Sequence, residues 1–341
     1  MTHPTSARRL TVSALMLAVM TLVPQRTDAE SLLPCLQPVQ GVTWMRWQGD
    51  HNALNAWCTA VGPPVVRSRA MASADITRLR ILSWNVHVGG GRVEELLPAL
   101  LVESSKSGIG LVVLLQETFR GGTDVPATYP SDLTVPRAIR PRRPAMDIVG
   151  IAERFGMSVA YVPSMRNGSA TTVAEREDRG NAVLSTEPLT DVRAIELPFG
   201  KQRRVAIAAT VTPRGISATQ LRVVVAHLDT NGDRVAQAGA LANTLDTLDQ
   251  LPIVIGGDMN ARRGFGDEAV HVLGRVPLES CGTGRTNRWP LRLDVLFSFL
   301  VGRLDFMFST LGASIDRSCE TLPKAYHSDH LPVLLTMQYP K

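Results

Sequence analysis

The sequence predicts a layered α/β or α+β domain in which two β-sheets pack together. Three observations carry this expectation. Nine short apolar runs rich in Val and Ile recur from Leu79 onward, helical patterns stand between only some of them, and polar residues repeatedly occupy the carboxyl ends of the runs. Many strands with few interspersed helices point to stacked sheets rather than a helical bundle.

Residues 1–29 precede that domain. Arg8 and Arg9 lead an apolar run from Leu10 to Val23, and small residues at Thr27 and Ala29 close it. This is the charged, apolar, small-residue order of a secretory signal, and the run is shorter than the ~20 residues a spanning helix needs. Cleavage is expected after Ala29, with the mature protein secreted or periplasmic. The whole chain has 341 residues and a formal net charge of +5. Removing Arg8, Arg9 and Arg26 together with Asp28 takes away a net two charges and leaves +3. That mild excess is compatible with an anionic substrate but demands none.

Residues 30–76 hold Trp44, Trp47, Trp57 and two of the four cysteines. So short a segment rarely builds its own core, so it reads as a stapled extension of the following domain. An even cysteine number in an exported chain suggests disulfides, and grouping along the chain suggests Cys35 with Cys58 and Cys281 with Cys319. No Cys/His spacing suggests zinc.

Residues 77–341 carry the layered pattern. The apolar runs are "LRILSWNV", "IGLVVLLQE", "MSVAYVP", "GNAVLST", "RRVAIAATVT", "QLRVVVAHLD", "LPIVIGGDMN", "LDFMFS" and "LPVLLTM". Helices are expected at "RVEELLPALLVES", "MDIVGIAERFG" and "DRVAQAGALANTLDTLDQ", whose apolar residues fall three and four apart. "TVPRAIRPRRPAM", with four arginines and three prolines, reads as a loop, either a phosphate-attracting rim or a solvated basic segment. "NVHVGGGR" lacks the Lys-Ser/Thr of a P-loop, so its glycines read as a tight turn.

The strand ends supply the chemistry. In chain order they offer Asn85 and His87, Gln116 and Glu117, His227 and Asp229, Asp258 and Asn260, Asp305, and lastly Asp329 and His330. One Asp or Asn at a strand end is usually a turn signal. A set of carboxylates, carboxamides and histidines gathered this way instead resembles an active site on a fixed scaffold. Oxygen donors without cysteine suit a hard cation such as Mg²⁺, and histidine beside carboxylate suits proton transfer. Together they suggest metal-assisted hydrolysis of a phosphoester.

The ordered series "LSWNVH", "LLQET", "RGNAVLST", "VVVAHLD", "IGGDMNAR", "RLDFMFS" and "HSDHLPV" resembles the endonuclease/exonuclease/phosphatase superfamily, over roughly Leu79 to Tyr339. The resemblance implies an α+β, four-layer αββα sandwich of two mostly antiparallel sheets flanked by helices, and a phosphodiesterase using Mg²⁺, for which Mn²⁺ can substitute. It implies Glu117, Asn85 and Asp329 as metal ligands and Asp258 as the group that orients or deprotonates the attacking water. Asn260, His330 and His227 would contact the phosphate or the leaving group, with Asp305 orienting His330. Asn181, Arg179 and His87 would line the substrate pocket. "RLDVLFSFLVGRLDFMFS" holds two Leu-Asp pairs; Asp305 is preferred to Asp294 because a strand-like run surrounds it.

The substrate stays open between a nucleic acid and a phospholipid headgroup. Aromatic residues are only 5%, which gives little support to extensive base stacking, while "LDVLFSFLVG" reads either as an apolar lip or, more plainly, as a buried element. A binding module that retains the fold without the chemistry is the alternative of a different class. No obligate protein partner is evident, and a monomer is expected.

Overall fold

The computed structural model describes residues 39, 41–45, 51–68, 76–130, 133, 146–167, 176–200, 202–213, 220–230, 233–248, 250–261, 266–274, 279–281, 286, 304–311 and 315–338. The chain divides into two compact units, Met1–Leu32 and Leu33–Lys341, and all described residues belong to the second. The expected leader, Cys35, residues 134–145 and residues 287–303, with Asp294 among them, lie outside the described residues.

One sheet joins β1 (Val42–Met45), β7 (Leu189–Glu196), β8 (Val205–Val211), β9 (Leu221–His227), β10 (Ile253–Asp258), β12 (Asp305–Ser309) and β11 (Glu279–Cys281), in that spatial order. The other runs β13 (Asp316–Thr321), β14 (Val333–Gln338), β3 (Arg78–Asn85), β4 (Ile109–Gly121), β6 (Glu177–Ser185), β5 (Ser158–Arg166) and β2 (Val65–Arg67). Among the described strands only β1 with β7, β9 with β10 and β3 with β4 pair in parallel. The described helices are α1 (His51–Cys58), α2 (Val93–Ser107), α3 (Ile148–Arg154), α4 (Asp233–Asp246) and α5 (Glu268–Leu273).

Alternation along the strands builds four layers. Val112 and Leu114 of β4 meet Ile207 and Ala209 of β8 and Val223 and Val225 of β9 in a core between the sheets. The intervening Leu111, Val113 and Leu115 of β4 face outward onto Leu96 and Leu97 of α2 and Ile151 of α3. Ala206 and Ala208 of β8 pack toward Leu241 and Leu245 of α4 and Leu273 of α5 on the opposite side. Both faces of the central strands are thus buried, which is why they read as unbroken apolar runs. The architecture is the αββα sandwich expected from the sequence. The segment after residue 30 supplies an edge strand to each sheet, β1 against β7 and β2 against β5. No described cysteine is free; the proposed pairings involve side chains outside the described set.

Candidate active site

Strand direction gathers the polar residues. Because β9 and β10 run in parallel, their last residues, His227 and Asp258, stand side by side. β12 runs antiparallel to β10 and begins where β10 ends, so Asp305 lies opposite Asp258. In the second sheet β3 and β4 are parallel, which sets Asn85 beside Gln116. β14 pairs with β3 from Val333 opposite Ser83, so the turn before it delivers Asp329 and His330 to the same end. Ser328 Oγ fastens that turn by donating to Asn85 O at 2.6 Å and accepting from His330 N at 3.0 Å, and Trp84 Nε1 donates to His330 O at 3.1 Å.

The centre is a buried carboxylate and imidazole cluster. His330 Nδ1 lies 2.8 Å from Asp305 Oδ2, and its Nε2 faces Asp258 Oδ2 at 3.8 Å. Asp258 accepts from Asn85 Nδ2 at 3.0 Å through Oδ2 and from Asn260 N at 2.9 Å through Oδ1. His227 Nε2 lies 3.5 Å from Asp258 Oδ2 and 3.2 Å from Asn260 Nδ2. The Asn260 amide also donates to Leu228 O at 2.9 Å. Both amide hydrogens are therefore engaged, and contact with a phosphoryl oxygen requires Asn260 to give up one.

Burial and charge set the protonation of this cluster. Burial alone would lower His330, but Asp305 and Asp258 outweigh it and hold the imidazolium up to about 10. Burial, reinforced by Asp305, pushes Asp258 up to about 7 against the opposing pull of His330 and the bonds from Asn260 and Asn85. His227 is driven well below the usual imidazole range, first by burial and then by the cations of Arg204, His330 and Arg179. It is the neutral imidazole of the pair.

Glu117 and Asp329 flank the cluster. Leu115 pairs with Ala182 and Thr118 with Gly180, so Gln116 and Glu117 together oppose the single residue Asn181. The bulge places Glu117 at φ 55° and redirects its side chain. Its carboxylate receives no hydrogen bond among the described residues; the neutral His227 imidazole stands nearby, with Nδ1 at 3.8 Å. Asp329 Oδ1 lies 3.0 Å from His87 Nδ1, a contact that raises the His87 pKa; the same contact, with His330, lowers Asp329 against burial. His87 accordingly sits on Asp329. Left-handed backbone recurs around the site, with φ 50° at His87, 54° at Val88 and 47° at Asn260. Strain of that kind persists where the surrounding structure over-determines it, most often at functional sites.

Asn181 and Arg179 line an adjoining recess with Glu117, Ser164, Arg204 and His227. Asn181 Nδ2 donates to Val205 O at 2.8 Å and so links the two sheets. Sequence reasoning missed Arg204 and Ser328. The doublet Arg203-Arg204 before an apolar strand reads as solvated charge, so only its burial marks the first.

The donor chemistry fits a metal ion in two ways. Ligand atoms of Asp258, Asp305 and His330 lie within 4.8 Å of one another. Yet the 2.8 Å contact between Asp305 and His330 is a proton-sharing geometry, which suits imidazole orientation. Glu117, Asn85 and Asp329 offer oxygen donors, and the undonated Glu117 carboxylate on strained backbone is the observation that fits a hard cation.

An αββα sandwich with a carboxylate-imidazole cluster at the shared end of its sheets defines the class of layered phosphoesterases. A sequence profile of the Endonuclease/Exonuclease/phosphatase family matches residues 82–330, and the chain belongs to that family. It is accordingly a phosphoric ester hydrolase of a metal-dependent family. A family protein from Beutenbergia cavernae DSM 12333 shares 20% identity at a TM-score of 0.54, over 77% of this chain and 72% of its own. A family protein from Leptotrichia buccalis C-1013-b shares 12% identity at a TM-score of 0.53, over 76% of this chain and 100% of its own. The human Nocturnin catalytic domain with bound sulfate shares 16% identity at a TM-score of 0.51, over 81% of this chain and 98% of its own. Likeness at these identities establishes the fold. No curated protein sequence matches the chain.

Proposed function

We propose that the protein is an exported, Mg²⁺-dependent phosphodiesterase that cleaves by in-line attack of water, with Mn²⁺ able to substitute. The observation that carries this reading is the buried Asp305–His330 contact at 2.8 Å with Asp258 beside it. Asp258 is positioned to take a proton from the attacking water. His330, oriented by Asp305, presents Nε2 to a phosphoryl oxygen. His227 and Asn260 hydrogen-bond the phosphate or the leaving group. Glu117, Asn85 and Asp329 would hold the metal, which when bound supplies charge neutralisation at the phosphoryl oxygens.

The substrate is a nucleic acid or another phosphodiester, and the chain acts as a monomer. Incubation of purified protein with Mg²⁺ or Mn²⁺ on plasmid DNA, RNA, sphingomyelin and bis-p-nitrophenyl phosphate separates the substrate classes. At least one is expected to be cut, EDTA to abolish cutting, and Asp258→Ala to lose about 10²–10⁴-fold. All four left intact, with Asp258→Ala behaving as wild type, would leave only a binding module.

Export rests on the leader pattern of residues 1–29. No helix among the described residues is long and apolar enough to cross a membrane. Thiol titration of denatured, unreduced protein is expected to find no free cysteine; finding four would contradict an oxidised, exported protein.

A further inference from the structure

The recess beside Glu117 and His227 contains two arginines, Arg179, expected to line the substrate pocket, and Arg204, neither of which takes part in the proposed bond cleavage. Arg179 is 7% exposed and Arg204 is 5% exposed, and Nε of each has no hydrogen-bond partner. Among the described residues the nearest polar contact of the Arg179 guanidinium is the Met165 thioether at 3.9 Å. Arg204 comes no closer than 4.0 Å to Asp229. That carboxylate already accepts from Thr230 N at 2.8 Å and Gln202 N at 3.1 Å. A guanidinium carries five N–H donors and keeps its charge in a protein, so burying two together without a matching anion is costly. Burial accordingly lowers the affinity of both for their protons against the pull of Glu117, and at Arg179 the Arg204 cation adds to the lowering.

Only one carboxylate, Glu117, lines the recess, and the metal would claim it. The recess opens directly off the cluster, because Glu117 and His227 form its shared wall. None of Asp258, Asn260, Asp305 and His330 borders it. The arginines therefore border Glu117 and His227 but not Asp258, Asn260, Asp305 or His330.

We propose that Arg179 and Arg204 form a subsite for a second phosphate of the substrate, held while a neighbouring phosphodiester is cleaved. The inference rests on the phosphodiesterase reading and deepens it by naming the substrate class, diesters that also bear a terminal phosphomonoester. Fork-shaped guanidinium donors suit the oxygens of such a group, and bound phosphate would supply the anion that the recess lacks.

Two measurements test this. The first compares kcat/KM with Mn²⁺ for thymidine 5′-(p-nitrophenyl phosphate) bearing a free 3′-hydroxyl and for the same ester bearing a 3′-phosphate. Wild type is expected to favour the 3′-phosphorylated ester by about tenfold or more, and Arg179→Gln and Arg204→Gln to bring the ratio close to one. The second follows thermal unfolding in EDTA with inorganic pyrophosphate as the probe. Pyrophosphate should raise the Tm of wild type and much less that of either variant, and the variants without it should unfold no earlier than wild type. Equal kcat/KM for the two esters in wild type would overturn the subsite. So would variants that lose both esters equally, since the arginines would then serve the reacting phosphoryl. If neither ester is cut but the arginine-dependent stabilisation persists, the hydrolase reading fails and the anion site stands. If neither effect is seen, both fall.

Discussion

Arg203 and Arg204 are neighbours in sequence, both buried, and they meet opposite surroundings. Arg203 is clamped by Glu196, with Nε to Oε1 and a terminal nitrogen to Oε2 each at 2.8 Å, and its guanidinium lies 5.9 Å from the centre of the Trp44 ring. Arg204 faces the recess with its nearest carboxylate oxygen at 4.0 Å. The pattern extends further. Arg120 is paired with Asp178 and Asp124, and Arg222 with Asp191, whereas Arg179 shares the recess with Arg204. A buried cation with a matched anion holds strands together; one without a match costs stability and is retained for what it binds.

Stability measurements can break this contrast. The largest effect is expected at the clamped pair, where Glu196→Gln leaves Arg203 buried without its anion and should cost about 3–5 kcal/mol in denaturant unfolding. A loss under about 1 kcal/mol there would erase the distinction. Arg204→Gln is expected to change stability by less than about 1 kcal/mol, or to raise it, because its nearest carboxylate stands 4.0 Å away and already accepts from Thr230 N and Gln202 N; a loss as large as that of Glu196→Gln would make Arg204 a structural residue.

A small, pH-dependent effect is expected at Asp191, which is partly exposed and bonded to Arg193 at 3.0 Å and Arg222 at 2.9 Å. Burial tends to raise its pKa, but the two arginines outweigh that and hold it below the usual carboxylate range. A carboxyl depressed in the folded state gives stability that is present above its unfolded value of about 3.9 and is lost as pH falls through the folded value. Asp191→Asn, a residue that tolerates the φ of 43° found there, should therefore cost about 0.5–1 kcal/mol at pH 7 and progressively less below pH 4. A cost that stays constant down to pH 2 would show that the loss is not electrostatic.

Much of the fold was legible because its central strands are buried on both faces. β4, β8, β9 and β10 announce themselves as continuous Val- and Ile-rich runs, and α2, α3 and α4 as apolar residues three and four apart. What was missed includes the eight-residue β7, "LTDVRAIE", whose charged residues break up any apolar run, and otherwise edge and short elements. β13, "DRSCET", pairs with only one neighbour and alternates between exposed and half-buried, so no apolar run marks it. β1, β2 and β11 are three or four residues long. The candidate site was legible because its side chains close strands that the topology brings to one end. Arg204 was not, since a dibasic pair before a strand ordinarily reads as solvated charge, and only the packing separates it from Arg203. The bulge that turns Glu117 into the site likewise depends on pairing with β6, which the local sequence does not disclose.

The central claim is that His330, oriented by Asp305 and adjacent to Asp258, forms the catalytic core, and it is tested most directly by Asp305→Asn. In steady-state hydrolysis of bis-p-nitrophenyl phosphate with saturating Mn²⁺, the variant is predicted to fold with an unchanged circular dichroism spectrum. Its kcat should fall about 100-fold or more with a much smaller change in KM. A folded Asp305→Asn protein that keeps kcat within about twofold of wild type would contradict the account.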